Sequence, residues 1–228
     1  MEGFAQELEG FLNNKVAFEL PICGGIPVHQ SIVVTWVIMA VVTLIAFALT
    51  RNLQLVPGKR QLAVEAVVGF INNLIGDLVG RGGRKYIPYI GTVLIYLAIS
   101  NVIGLFGIAP PTKDLNVTCA LAVMSILLIE FAGISARGVG GWLKSFAEPM
   151  SLVAVINIME VFLRPLSLCL RLFGNVLGAY IIMELVKYIA PVLIPIPFSL
   201  YFDIFDGLIQ AYVFVLLTSL FTSEAIGD

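Results

Sequence analysis

Apolar runs of bilayer length dominate this chain and limit what it can fold into. Ser31 to Thr50 carries no charged side chain. A helix needs about 20 such residues to cross about 30 Å of hydrocarbon. Tyr86 to Thr112 is also uncharged, and Leu115 to Ala136 carries only Glu130. Phe198 to Ser223 is apolar apart from Asp203, Asp206 and Gln210. Charged residues make up 12% of the 228 residues, against about 25% in a soluble domain. The expected class is an all-α polytopic membrane protein.

Gln61 to Gly80 has a different pattern. Glu65, Gly69, Asn72, Asn73 and Gly76 recur at helical spacing, while Leu62, Val67, Ile71, Leu74 and Leu78 fill much of the rest. Such an amphipathic helix either lies at the membrane interface or crosses with its polar face packed inside the bundle. Glu148 to Lys187 is mostly apolar, yet holds Glu160, Arg164, Arg171 and Glu184. At 1.5 Å per residue it would make a helix of about 60 Å, twice the membrane thickness. It must tilt steeply, break near Pro165, or leave the hydrocarbon.

The organisation expected is one integral domain over residues 1–228. A polar outer segment, 1–30, leads to a first span at 31–50 and the amphipathic helix at 61–80. Spans follow at 86–112 and 115–136, and a long helical hairpin, steeply tilted, at 148–190 and 198–223. That makes about five transmembrane helices plus one interfacial helix.

Loop charge gives an orientation. Arg51, Lys59, Arg60, Arg81, Arg84, Lys85, Arg137 and Lys144 share one side if the amphipathic helix stays on that side. Lys15, Lys113 and Lys187 fall opposite. The basic side is then cytoplasmic, with the amino terminus outside and the carboxyl terminus inside. The net charge of −2 gives no pointer to nucleic acid. Cys23, Cys119 and Cys169 lack metal-ligand spacing, and two of them sit in apolar runs as small hydrophobes. His29, the only histidine, precedes the first span and reads as a surface residue. The first thirty residues carry Glu2, Glu7, Glu9 and Glu19 and lack a signal-peptide pattern.

The chemistry concentrates around Arg171. A guanidinium stays protonated in proteins, so it cannot escape low dielectric by losing its charge. An ionisable residue at membrane depth marks a functional site by default. On a helix of 100° per residue, Glu160, Arg164, Asn175 and Gly178 all fall within about 40° of Arg171. Glu160 and Arg164 are an i,i+4 pair of opposite charge. Arg171 has no acid at i±3 or i±4, so its counter-charge must come from elsewhere. Gly174 and Gly178 beside it permit close approach of another helix, whether of this chain or of a partner. Asp203, Asp206 and Gln210, at i, i+3 and i+7, form a second polar stripe. Two facing stripes make either a hydrated path or a buried hydrogen-bonded seam. Glu184 lies about 140° from Arg171, at an outer entrance or at the interface.

Leu166 to Gly178, LSLCLRLFGNVLG, closely resembles the arginine motif of subunit a of F-type ATP synthases. Ser100 to Gly107, SNVIGLFG, is similar to that family's third helix. Pro111 to Val123, PTKDLNVTCALAV, resembles its Asp-x-Asn-x-Thr helix entrance. Ile209 to Thr218, IQAYVFVLLT, resembles the Gln-Ala-aromatic stretch of its last helix. The resemblance implies a bacterial, multi-pass, non-catalytic stator subunit of the cell membrane. Its implied partners are a rotating ring of c subunits, peripheral-stalk b subunits and the rest of the synthase, with no cofactor in this chain. It implies that Arg171 faces the ring carboxylate, that Asn175 and Gln210 support it, and that Asp114, Asn116 and Thr118 form the entrance.

Two positions depart from the family pattern. Tyr180 stands where some members have a glutamate, and Asp203 where some have a histidine. Glu184 and Asp203 are the candidates to take over those polar duties. Asp203, Asp206, Glu184, Asn116 and Asp114 are assigned to the outer half of an ion path, and Glu160 and Arg164 to the inner half. The ion is a proton or sodium. The competing readings are a secondary transporter in which Arg171 binds an anionic substrate, and a structural subunit whose buried charges fix assembly. No clear internal repeat supports the transporter, and no nucleotide loop or metal cluster appears.

Overall fold

The computed structural model describes residues 16–20, 26–51, 54, 58–106, 108–145, 154–189 and 195–227. Strands β1 (Val16–Leu20) and β2 (Ile26–His29) pair antiparallel, with a register shift between Val16 and Phe18. This hairpin, in the expected polar segment, is an element that hydropathy did not signal. The long helices are α1 (Gln30–Thr50), α2 (Lys59–Val79), α3 (Ile87–Val102), α4 (Leu115–Ser145), α5 (Ala154–Ile189) and α6 (Gly207–Ile226). A helical turn at Pro195–Ser199 and a π-helical segment at Leu200–Asp206 lead into α6. Six helical segments are long and apolar enough to cross a membrane, and the one containing α2 has the lowest hydropathy. The chain is a polytopic helical membrane protein.

Local sequence explains several boundaries. Asp114 has extended backbone (φ −88°, ψ 119°) and starts α4. Its carboxylate accepts the Asn116 N–H at 2.9 Å, and its carbonyl accepts the N–H groups of Val117 and Thr118. This is an N-cap, satisfying donors that the first helical turn leaves orphaned. Gly138 breaks α4 with φ 71° and ψ 163°, a conformation that side-chain-bearing residues rarely adopt. Helical turns resume beyond it as far as Ser145, within the stretch that the sequence presents as a polar loop.

α5 runs unbroken through Pro165. Proline there removes one N–H, so the Val161 carbonyl loses its usual partner. At 1.5 Å per residue α5 is about 54 Å long, well beyond a hydrocarbon thickness of about 30 Å. The turn expected at Pro191, the start at Glu148 and the residues before Val16 lie outside the described residues.

The chain divides into two compact units. The first comprises Met1–Val41, Tyr96–Thr118 and Leu170–Ala211; the second comprises Val42–Ile95, Cys119–Cys169 and Tyr212–Asp228. The first unit has an unusually polar interior: Ser100, Asn101, Thr112, Asp114 and Thr118 are all buried. Ser31 donates to the Asp114 carboxylate, and Thr35 bonds the Tyr96 hydroxyl at 3.0 Å. The second unit packs Ile75, Val79, Tyr86, Ile90, Ala132 and Val215 into an apolar core. Gly91 lets α2 approach α3 closely: a Cβ there would lie 3.0 Å from Ile71 Cγ2.

In lipid such a core is held by shape and dispersion more than by exclusion of water. We therefore expect Ile90→Ala, which empties a nearly fully buried position, to destabilise the protein by about 2 kcal/mol or more, with Ile90→Val costing about 1 kcal/mol. Thermal or denaturant unfolding of the detergent-solubilised protein checks the order of the two.

Candidate functional site

Each unit contains a cavity with ionisable side chains in its lining. The cavity of the first unit has a volume of about 360 Å³. Asn175 and Tyr180 of α5 line it, with Asn101 of α3, and with Ser199, Asp203 and Asp206 around the π-helical segment. Asn175 donates its side-chain amide to the Asp206 carboxylate. Ser199 donates its hydroxyl to Asp203 Oδ2 at 2.7 Å. Two carboxylates thus share one cavity, each held by a neutral donor.

The cavity of the second unit has a volume of about 460 Å³. Its polar lining includes Glu130, Arg137, Trp142, Glu160, Arg164 and Glu224. Arg164 donates to Glu160 Oε2 at 2.6 Å and to the Glu224 carboxylate at 3.0 Å. Its guanidinium also lies over the Phe221 ring at 4.6 Å. Arg137 donates to the Glu224 carbonyl at 2.9 Å, and the Trp142 indole donates to Glu130 at 2.8 Å. The expected i,i+4 pair of Glu160 and Arg164 is present, and Glu224 joins it from α6. Glu130, Glu160 and Glu224 against Arg137 and Arg164 leave one net negative charge on the wall.

Arg171 is exposed on the surface of the chain. Among the described residues it has no ion pair or hydrogen bond. Gly174 is exposed too, and a Cβ added at Gly174 or Gly178 would meet nothing within 4 Å. Leu166 and Leu170, also exposed, lie along the same helix. A guanidinium unpaired among the described residues, two glycines with open space at their Cβ positions and apolar neighbours therefore occupy α5. Gln210 buries its side-chain carbonyl oxygen without a partner among the described residues.

Other expected site residues are placed differently. Asp114 is 1% exposed and committed to its cap and to Ser31, and Asn116 is exposed; neither lines a cavity described above. Glu184 belongs to α5, but its side chain lies outside the described residues. Asn101, Ser199, Glu130, Trp142, Arg137 and Glu224 escaped the sequence reading of the site. Asn101 had a signal, an amide inside an apolar run. Glu224 had none, since an acid at the end of a last span looks like ordinary solvated surface.

Helices of membrane length, with ionisable groups gathered into cavities, define a polytopic membrane protein with charged side chains inside its spans. The family model for the ATP synthase A chain matches residues 32–223. The chain is 37% identical over 220 residues to the sodium-ion-specific ATP synthase subunit a of Propionigenium modestum, covering 90% of this chain and 76% of that protein. It is 35% identical to ATP synthase subunit a 2 of a Bradyrhizobium species (90% and 92% covered), and 35% identical to ATP synthase subunit a of Moorella thermoacetica (86% and 89% covered). The chain belongs to the ATP synthase A chain family, and with it to the ion-transporting membrane machinery of ATP synthesis.

The Arg164–Glu224 contact is expected to contribute little to stability, because the Glu224 side chain is 62% exposed. Glu224→Gln should cost less than about 1 kcal/mol in unfolding experiments. Arg164→Met removes the cation from both carboxylates and should cost more.

Proposed function

We propose that this chain is the ion-conducting stator of an F-type ATP synthase, working against a ring of carboxyl-bearing subunits. Arg171 carries the proposal. It is a permanent positive charge on an exposed, glycine-floored helix face, with no counter-charge among the described residues. An uncompensated guanidinium in lipid is costly, so a partner's carboxylate is the natural complement.

The mechanism follows from charge. An ion enters from the outer side, is held by a ring carboxyl group through lipid, and leaves on the cytoplasmic side. A bare carboxylate facing lipid is expensive, so it travels neutralised. Beside Arg171 the opposite charge favours ionisation and release. The guanidinium keeps its proton, so it blocks a direct leak between the two paths. The first unit's cavity, with Asp203, Asp206 and Asn175, is assigned to the outer path. Asp114, Asn116 and Glu184 are assigned to the same outer path. The second unit's cavity, with Glu160 and Arg164, is assigned to the inner path. Gln210 supports Arg171. Gly174 and Gly178 form the surface on which the ring packs. Each charge crossing a potential of 100 mV supplies about 2.3 kcal/mol. Nucleotide chemistry belongs to other subunits, and this chain contributes no catalytic step. The sodium-ion-specific relative makes sodium a candidate ion beside the proton. α2, with its basic flanks, lies at the cytoplasmic interface, the carboxyl terminus is cytoplasmic, and peripheral-stalk subunits hold the chain against rotation.

Arg171→Lys keeps the charge but loses the planar fork, and Arg171→Ala loses both. Both variants should abolish ATP-driven ion pumping by the whole complex in vesicles while the complex still assembles. Undiminished pumping in either refutes the role. Repeating the assay with and without sodium at several pH values identifies the ion.

A further inference from the structure

The end of α3 meets the π-helical segment at two points that the proposed ion path does not yet use. Asn101 is buried, with both ends of its amide engaged. Its Nδ2 donates to the Gly207 carbonyl at 2.9 Å, and its Oδ1 accepts from Thr112 Oγ1 at 2.9 Å. Gly207 is the junction where the π turn becomes α6, and its own N–H bonds the carbonyls of Phe202 and Ile204. A Cβ on Gly207 would lie 2.9 Å from Asn101 Cβ, so the two backbones approach closely here. Three residues after Asn101, Gly104 leaves space that the Asp203 carboxylate occupies. A Cβ there would lie 2.7 Å from Asp203 Oδ1.

π turns are rare and concentrate at functional sites. A π turn spreads its residues over a wider circuit than an α turn, which changes the angle between Asp203 and Asp206. The Asn101 clamp fixes the end of that circuit, and the Gly104 notch receives the first carboxylate. Of the titratable groups lining the cavity, Asp203 and Asp206 come from the segment itself and Tyr180 from α5. The end of α3 supplies none, and no basic side chain is among the lining residues.

We propose that Asn101 and Gly104 are positioning residues of the outer ion path: they hold the π-helical segment so that Asp203 and Asp206 present their carboxylates to one cavity. Asn101 itself carries no ion, because its donor and its acceptor are both spent on the fold. The inference rests on the ion-path function proposed above and adds to it the device that sets the outer affinity.

The test uses the whole synthase in vesicles, with ATP synthesis driven by an imposed potential. Outer pH is varied at fixed sodium, and outer sodium at fixed pH. Gly104→Ala and Asn101→Leu should each raise the half-saturating outer concentration of the driving ion by about three- to tenfold. Maximal rate and inner-side dependence should stay within about twofold. Asn101→Gln, which keeps both amide groups, should recover part of the shift. In an Asp203→Ser background, which removes the carboxylate that Gly104 accommodates, Gly104→Ala should add no further shift.

Unchanged outer dependence in assembled Gly104→Ala and Asn101→Leu complexes overturns the inference. Equal shifts on both sides overturn it as well, as does loss of assembly in both variants, since the residues then serve folding alone. Transport that survives Arg171→Ala would instead remove the ion-path function. An essential Arg171 with flat Gly104 and Asn101 responses removes only the present inference.

Discussion

A guanidinium without a counter-charge shapes this molecule. Arg164 sits between two glutamates, and Asp206 and Asp203 each accept from a neutral donor. Arg171 has none of this. Its cost in an apolar setting is several kcal/mol, and no pairing within the described chain offsets it. The fold therefore makes sense as one side of a contact. Close to it lie Gly174 and Gly178, where an added Cβ meets nothing within 4 Å among the described residues.

The two cavities embody different electrostatic designs. In the first unit the acids are held by an amide and a hydroxyl, so their charge is not cancelled. In the second unit two arginines are interleaved with three glutamates.

Much of the fold was legible because lipid simplifies the problem. Uncharged runs of bilayer length gave the helices, and Gly58 and Asp114 mark two of their starts. Pro165 was a false signal for a break, since a proline inside a long helix removes only one hydrogen bond and α5 continues past it. The resumed turns beyond Gly138 were hidden because arginine, lysine and glycines made that stretch look like a loop. The β hairpin was missed because its strands, Val16–Leu20 and Ile26–His29, are far shorter than a membrane span.

The site was legible where one residue type is exceptional in its setting, as with Arg171 and the Glu160–Arg164 pair. It was illegible where function depends on backbone form. Nothing in Leu200–Asp206 announces a π turn, and α-helical spacing therefore misjudges how Asp203 and Asp206 are related. Asp114, an acid in a suggestive motif, also caps a helix, which the motif alone did not reveal.

The bare backbone at Gly174 and Gly178 has a mechanical consequence. Interlocked side chains resist sideways motion, because each knob must climb out of its hole before the next step. A glycine floor has no knobs. It lets a neighbouring helix come close enough for strong dispersion attraction without interlocking.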